Sequence, residues 1–265
     1  MMDMKLSGYT LPLSPSGRSS LVPPPPWHFS GDVLLVEYRA DRNAVKAFLP
    51  TGLEEGEIPD LAAAIFGDWQ SCTDAGIELL DPVRSQYREF YIALSARWQG
   101  KSVVRCPFCW VDRDFSLVRG LIQGYPKKMG SIGITRTFDS GRASPGVGPG
   151  SCFSGTLAAT DRRLAEVRVT LTEKAEPPPI MLAPLVHSRC FPAWDPNRLP
   201  VDELVTGGST DQRIGNVWSG AAEVEFFDSP HDELSLLRPV EIIRGYRFSF
   251  SETITGGQIL LANGR

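Results

Sequence analysis

Gly124-Tyr125-Pro126-Lys127-Lys128-Met129-Gly130 places two adjacent lysines inside an apolar, glycine-flanked segment that runs from Leu117 to Ile134. Lysine is among the residues least often fully buried. Such a pair is either a polar turn at the surface, which Pro-Lys-Lys between glycines suits, or a site that needs an amine out of water. A lysine held in a dry place is penalised in its ammonium form and becomes available as a nucleophile.

Outward from this segment the chain has a strand rhythm. On the N-terminal side, Val33–Tyr38, Tyr87–Trp98 and Ser102–Val111 read as strands. Asp41 to Leu49 reads as a short helix capped by Asp41 and stopped by Pro50. Leu61–Phe66 fits either a strand or a short buried helix. Phe115–Ile122 has apolar helical spacing and leads into the lysines. On the C-terminal side, strands are expected at 130–138, 152–160, 164–173, 180–191, 216–227 and 240–254. The Gly/Pro/Ser-rich stretch 141–150 reads as a hairpin loop, and 257–265 as a fraying tail. Many strands, few helices and no strand–helix alternation predict an α+β fold. It is expected to be mainly antiparallel β, closed or strongly bent into a barrel or cone with a few short helices. Residues 1–26, ending in four prolines at 23–26, are expected to form an extended tail, and 27–265 a single domain.

Composition narrows the function. A formal net charge of −4 over 265 residues implies no basic face, so no nucleic-acid partner is expected. No apolar run reaches the length of a membrane span, and Met1–Arg18 lacks the pattern of a signal peptide. A cytoplasmic protein is expected by default. Cys106-Pro107-Phe108-Cys109 is a CxxC, but no second one follows and the three histidines (His28, His187, His231) are scattered. These cysteines read as core thiols pointing to opposite faces of a strand, with no metal site. Neither a GxGxxG after a strand nor a phosphate-binding GxxxxGK[ST] occurs. HExxH and GxSxG are also missing.

Tyr125-Pro126-Lys127-Lys128-Met129-Gly130 resembles the Tyr/Phe-Pro-Lys-Lys-Leu-Gly signature of the acetoacetate decarboxylase family. Colinear matches extend over nearly the whole chain. Near the start they are Pro26-Trp27-His28-Phe29, Tyr38-Arg39-Ala40-Asp41, Leu49-Pro50 and Leu53-Glu54. Near the end they are Val217-Trp218-Ser219-Gly220, Phe227-Asp228 and Leu237-Arg238-Pro239-Val240-Glu241-Ile242.

The resemblance implies a Schiff-base enzyme in which Lys127 forms the imine and Lys128 is the neighbour credited with easing its deprotonation. In an extended segment, however, adjacent side chains diverge, so burial would be the larger cause. Tyr87-Arg88-Glu89 is similar to the family's Tyr-x-Glu, which makes Glu89 a candidate acid/base and Tyr87 a candidate hydrogen-bond donor. The sequence also departs from the family. No arginine lies between Trp27 and Tyr38, where the decarboxylases carry one to hold the substrate carboxylate. The strand Leu61–Phe66 lacks their second glutamate, and their Gly-Arg-Glu becomes Arg119-Gly120-Leu121.

A divergent member is therefore expected. Its imine would serve aldolase or aldolase-dehydratase chemistry on a keto acid, with an aldehyde as second reactant, in a biosynthetic pathway. Gln123, Arg119, Arg88 and Lys128 are the candidate substrate-binding or supporting groups. The alternatives are a β-keto-acid decarboxylase that recruits Arg119 or Arg88, and a non-catalytic small-molecule scaffold. No cofactor is expected, because the lysine supplies the electron sink. The proline-rich tail and the resemblance suggest a homo-oligomer.

Overall fold

The computed structural model describes residues 5–262. In chain order its strands begin with β1 (Trp27–Arg39), β2 (Glu54–Glu55), β3 (Leu61–Cys72) and β4 (Gln86–Trp98). Next come β5 (Lys101–Arg105), β6 (Cys109–Val111), β7 (Lys127–Met129), β8 (Ser131–Ile134) and β9 (Cys152–Ala159). The last four are β10 (Arg162–Lys174), β11 (Leu185–Phe191), β12 (Val201–Phe226) and β13 (Glu241–Ala262). Two α-helices, α1 (Arg42–Ala47) and α2 (Asp114–Gln123), complete the main elements. All the strands join one 13-stranded sheet whose main path runs β11-β5-β4-β3-β1-β13-β12-β10-β9-β8. β11 also pairs with β12, so part of this path returns on itself and the sheet is strongly bent. Among the described residues, only β11–β5 and β6–β7 are parallel. The mainly antiparallel, bent architecture with few short helices is the one expected from sequence.

Strand alternation divides the interior into two cores. In β4, Phe90, Ile92 and Leu94 enter one core, while Tyr87, Tyr91 and Ala93 enter the other. In β3, Ala62, Ala64 and Phe66 face the first core, and Ala63, Ile65 and Trp69 the second. With both faces buried, the strand reads as a continuous apolar run, which is why the sequence left strand and helix open there. At α1, the Asp41 carboxylate accepts from the Ala44 N–H at 2.9 Å, as the cap signal predicts.

Several expected boundaries move. The strand expected over 102–111 breaks at Cys106-Pro107-Phe108, where proline has no N–H to give a ladder. The break also overturns the opposite-faces expectation for the cysteines. Cys106 and Cys109 both enter the second core, their thiols within hydrogen-bonding reach. Of the strand expected over 130–138 only Ser131–Ile134, β8, forms, and the lysines just before it make the separate short strand β7; residues 135–151 connect β8 to β9. Pro179–Met181 is a 3-10 turn before β11, not a strand. β12 begins at Val201 rather than 216, and β13 continues past Ile254 through Ala262. Gly257–Ala262 is thus not fraying: it pairs with Glu203–Gly207 of β12. Residues 263–265 and 1–4 lie outside the described residues. Ahead of β1, Ser7 bridges to Ser14, Tyr9 meets Trp27 edge-on at 6.3 Å and Val22 is buried in the second core.

Candidate active site

Helix α2 aims the lysine segment. It ends at Gly124, whose φ of +89° favours glycine, and the Tyr125 N–H returns to the Gly120 carbonyl. Beyond Pro126 the chain is extended and pairs in parallel with β6, setting Lys127 beside Cys109 and Lys128 beside Trp110. Cys109 belongs to the second core and Trp110 to the first. Alternation therefore sends the adjacent lysines to opposite faces. Gly120 clears the way for the first: a Cβ there would lie 2.2 Å from Lys127 Cδ.

Lys127 enters a cavity of about 240 Å³ on the second-core side. Its Nζ lies 2.7 Å from Glu89 Oε2, and the two side chains are only 6% and 8% exposed. This contact is an ion pair whose angles fall short of a hydrogen bond, so Glu89 Oε2 keeps a lone pair free. Lys127 Nζ donates instead to Ser116 Oγ at 3.1 Å. It also lies 5.4 Å from the centre of the Tyr87 ring and 5.2 Å from that of Tyr125. Burial, then the Glu89 charge, pushes the Tyr87 hydroxyl well above its usual range, so it stays protonated at neutral pH.

The cavity also holds a guanidinium. Arg119 is buried and forms no ion pair among the described residues. Its Nη1 donates to Ser71 Oγ at 3.1 Å, while Nη2 is buried without a partner. Its Cζ sits 4.6 Å from the centre of the Phe29 ring and 5.5 Å from those of Tyr87 and Phe115. Burial pulls its pKa below the ordinary arginine value, opposed by Tyr87 and Glu89. The aromatic faces stabilise the buried cation, and its unpartnered N–H is the kind of donor that a carboxylate can take up. Gln123, one turn further along α2, lines the same cavity and donates to the Arg119 carbonyl at 3.3 Å.

Of the sequence candidates, Lys127, Glu89, Tyr87, Arg119 and Gln123 converge on this cavity. Lys128 and Arg88 do not. Lys128 pairs with buried Asp232 on the far face and lies 5.7 Å from the centre of the Trp110 ring. Arg88 sits between Tyr87 and Glu89 in β4 and so faces away; its Nε lies 3.8 Å from Asp68 and its Nη1 donates to the Ile132 carbonyl. In both cases the period-two alternation of a strand decides.

Three groups around Lys127 escaped sequence reasoning: Ser116, Glu252 and His187. Ser116 stands three and seven positions before the candidates Arg119 and Gln123 on α2, in a polar stripe hidden by the helix's apolar average. Glu252 interrupts the inward series Phe248, Phe250, Ile254 of β13, which is a legible signal. It accepts from Ser209 Oγ at 2.5 Å and Gln212 Nε2 at 3.3 Å. Burial raises its pKa despite these bonds, and Glu89 adds to the rise. His187 also lines the cavity, with its ring 3.7 Å from that of Tyr125; burial, then Arg105 and Lys127, holds it well below the usual histidine range. Nothing in its sequence surroundings marked it.

The family model for acetoacetate decarboxylase matches residues 10–263. Among curated proteins, none matches. Among solved structures, the chain is similar to the enduracididine biosynthesis enzyme MppR complexed with pyruvate, at 41% identity and a TM-score of 0.92, over 97% of this chain and 98% of that one. MppR complexed with the condensation product of pyruvate and imidazole 4-carboxaldehyde superposes with a TM-score of 0.93 at 41% identity, over 98% of each chain. An acetoacetate decarboxylase-like enzyme from Sphingomonas wittichii RW1 is 28% identical, with a TM-score of 0.88, over 97% of this chain and 100% of that one. On the match of its sequence over nearly its whole length, the chain belongs to the acetoacetate decarboxylase family.

Proposed function

We propose that this protein is a lyase-type enzyme that forms an imine between Lys127 and a 2-keto acid such as pyruvate, and joins the resulting enamine to an aldehyde. The observation that carries it is the placement of Lys127, paired with Glu89, in one cavity with the unpaired Arg119 guanidinium. The binding of pyruvate, and of its condensation product with an aldehyde, by the similar MppR supports the same substrate class.

Each group has a task that its position allows. Glu89 takes the proton from Lys127 Nζ and frees the amine. The amine attacks the keto carbon, and the carbinolamine loses water to leave a protonated imine. Arg119 holds the carboxylate through paired N–H groups, and the Gln123 amide orients it. The imine draws electrons from the adjacent carbon, which gives up a proton to become the enamine. The enamine carbon then bonds to the aldehyde carbon, and the carbonyl electron pair moves to oxygen. That oxygen takes up the proton released when the enamine formed and becomes a hydroxyl. The carbon next to the imine then gives up its second proton to Glu89, and the enamine that re-forms expels the hydroxyl as water, with a proton from protonated Glu252, which its raised pKa favours. Hydrolysis of the imine by water returns Lys127 and releases an unsaturated keto acid. Tyr87, protonated throughout, can donate to the carbinolamine oxygen.

A carboxylate gripped by Arg119 is stabilised as a carboxylate, which disfavours its loss as carbon dioxide. Borohydride trapping with pyruvate and, separately, acetoacetate tests the proposal, with peptide masses and carbon dioxide release as readouts. A reduced pyruvate adduct on Lys127, without carbon dioxide from acetoacetate, is expected. Carbon dioxide release with an acetoacetate adduct would return the function to β-keto-acid decarboxylation. No adduct from either compound would favour a binding scaffold.

A further inference from the structure

His187 has no part in the steps above, yet it is built into the cavity. It sits on β11, and only 2% of it is exposed. The C-terminus of α2 is packed against it: a Cβ on Gly124 would lie 3.1 Å from His187 Cβ. Its ring lies 3.7 Å from the Tyr125 ring, and that same Tyr125 ring lies 5.2 Å from Lys127 Nζ. The imidazole is thus within the length of a small substrate of the reacting amine. Its Nδ1 is buried with no hydrogen-bond partner among the described residues. A buried polar atom without a partner is rare and costs about 1–3 kcal/mol, so it asks for an explanation.

The position supplies one. Arg119, Gln123, Glu89 and Lys127 occupy the cavity side formed by α2, β4 and β7. His187 and Leu185, two apart on β11 and so on one face, line the same cavity together with Met181 and Pro184. This group is apolar apart from the imidazole. The cavity, about 240 Å³, is many times what one water needs, so a second small molecule fits beside the keto acid. A neutral imidazole carries one N–H donor and one acceptor.

We propose that His187 marks the subsite of the second reactant and donates a hydrogen bond to the aldehyde oxygen, while Met181, Pro184 and Leu185 take an apolar or aromatic substituent. This inference rests on the proposed imine chemistry. As the new carbon–carbon bond forms, the carbonyl electron pair moves to oxygen, and the developing alkoxide gains the proton released when the enamine formed. The imidazole keeps its own proton and stabilises that oxygen. His187 is therefore a specificity-determining group for the aldehyde, whereas Arg119 serves the keto acid.

The test uses the full chain, pyruvate and benzaldehyde. His187→Phe and His187→Gln are compared with the unaltered protein in two readouts: borohydride-trapped pyruvate on Lys127, and formation of the condensation product. Trapping is expected to persist in both variants. Condensation should fall on the order of 10²-fold in His187→Phe, as for loss of one donor to a developing oxyanion, and recover in part in His187→Gln, whose amide restores a donor. Equal condensation in His187→Phe and the unaltered protein overturns the inference, as does a loss that merely parallels a loss of trapping. No trapping in the unaltered protein removes the imine reading itself, a different failure. Should His187→Phe not fold, ¹⁵N-histidine spectra of the unaltered protein decide. There are only three histidines to assign. Adding benzaldehyde to the borohydride-reduced pyruvate adduct should shift the His187 ring nitrogens, and unmoved resonances overturn the proposal.

Discussion

Lys127 and Lys128 are neighbours in sequence and live in different media. Lys127 lies in the buried cavity against Glu89, its side chain 6% exposed. Lys128 is 50% exposed and neutralises Asp232, itself 4% exposed, on the other side of the sheet. The same strands serve both faces. One face closes on phenylalanines and aliphatics around Phe66, Phe90 and Leu157. The other is held open by polar groups that cannot pack together: Glu89, Arg119 and Glu252 around the amine. The comparison teaches that the chemical difference between the two lysines comes from the face each occupies and not from their being adjacent. Lys128, paired away from the cavity, is placed to anchor β7 rather than to tune the amine.

Breaking the cavity face should have the largest effect. Lys127→Ala is expected to abolish borohydride trapping and to reduce condensation by roughly 10⁴-fold or more, as for loss of a covalent nucleophile. Retained turnover in a purified, folded variant would sink the imine mechanism.

Gly120→Ala tests how the face aims its amine. The added Cβ would meet Lys127 Cδ at 2.2 Å and push the stem aside. The trapping rate should fall on the order of 10²-fold, because small misplacements of a reacting group are costly. The helix itself gains up to about 1 kcal/mol from the change, so a urea melt should show no matching collapse.

Arg119→Gln should raise the KM for pyruvate roughly 10- to 100-fold while the amine stays reactive toward uncharged ketones, since a charged, paired contact is lost. Arg119→Lys should rescue poorly, because an ammonium cannot offer the planar fork. An unchanged pyruvate KM would place the carboxylate elsewhere.

The opposite face sharpens the contrast. Lys128→Ala should leave trapping of pyruvate in place and instead cost about 1–3 kcal/mol of stability, because Asp232 is left buried without its cation. Urea unfolding measures the loss, and a collapse of trapping without a change in stability would restore the older picture of an adjacent cation tuning the amine.

The smallest effect is a pH dependence. Folding raises the Glu252 pKa above its reference value of 4.5, chiefly by burial. The folded state therefore holds this proton more tightly than the unfolded state. The stability it contributes is complete below the unfolded value and lost as pH rises through the raised one. Relative to Glu252→Gln, the unaltered protein should lose stability over that window. Unfolding midpoints measured in parallel across pH check it, and a constant difference would mean that Glu252 is not shifted.

Much of this was legible in the sequence. Strand alternation with few helices predicted the mainly antiparallel bent sheet, because period-two apolar patterning leaves little choice of face. The Tyr125–Gly130 signature and Tyr87-Arg88-Glu89 picked out the amine and its carboxylate through their resemblance to the family's motifs, and the two groups do meet in the fold. The wrong boundaries fell where pairing overrode local composition. Gly257–Ala262 looks like a tail but is held by β12, and Cys106–Phe108 looks like a strand but is broken at Pro107. Arg88 illustrates the limit within a motif: one residue between two cavity groups, it must point away.

The fold class was thus readable from the periodicity of the residues, and the family, with the lysine and carboxylate that could meet, from the resemblance of short motifs to that family's. That Arg119, Glu252 and His187 share a cavity with Lys127, and that Lys128 lies outside it, came from the folded chain alone. Those relations join α2, β4, β7, β11 and β13, segments up to 163 positions apart in the case of Glu89 and Glu252 (252 minus 89), and depend on how far the sheet bends to bring its strands around one cavity.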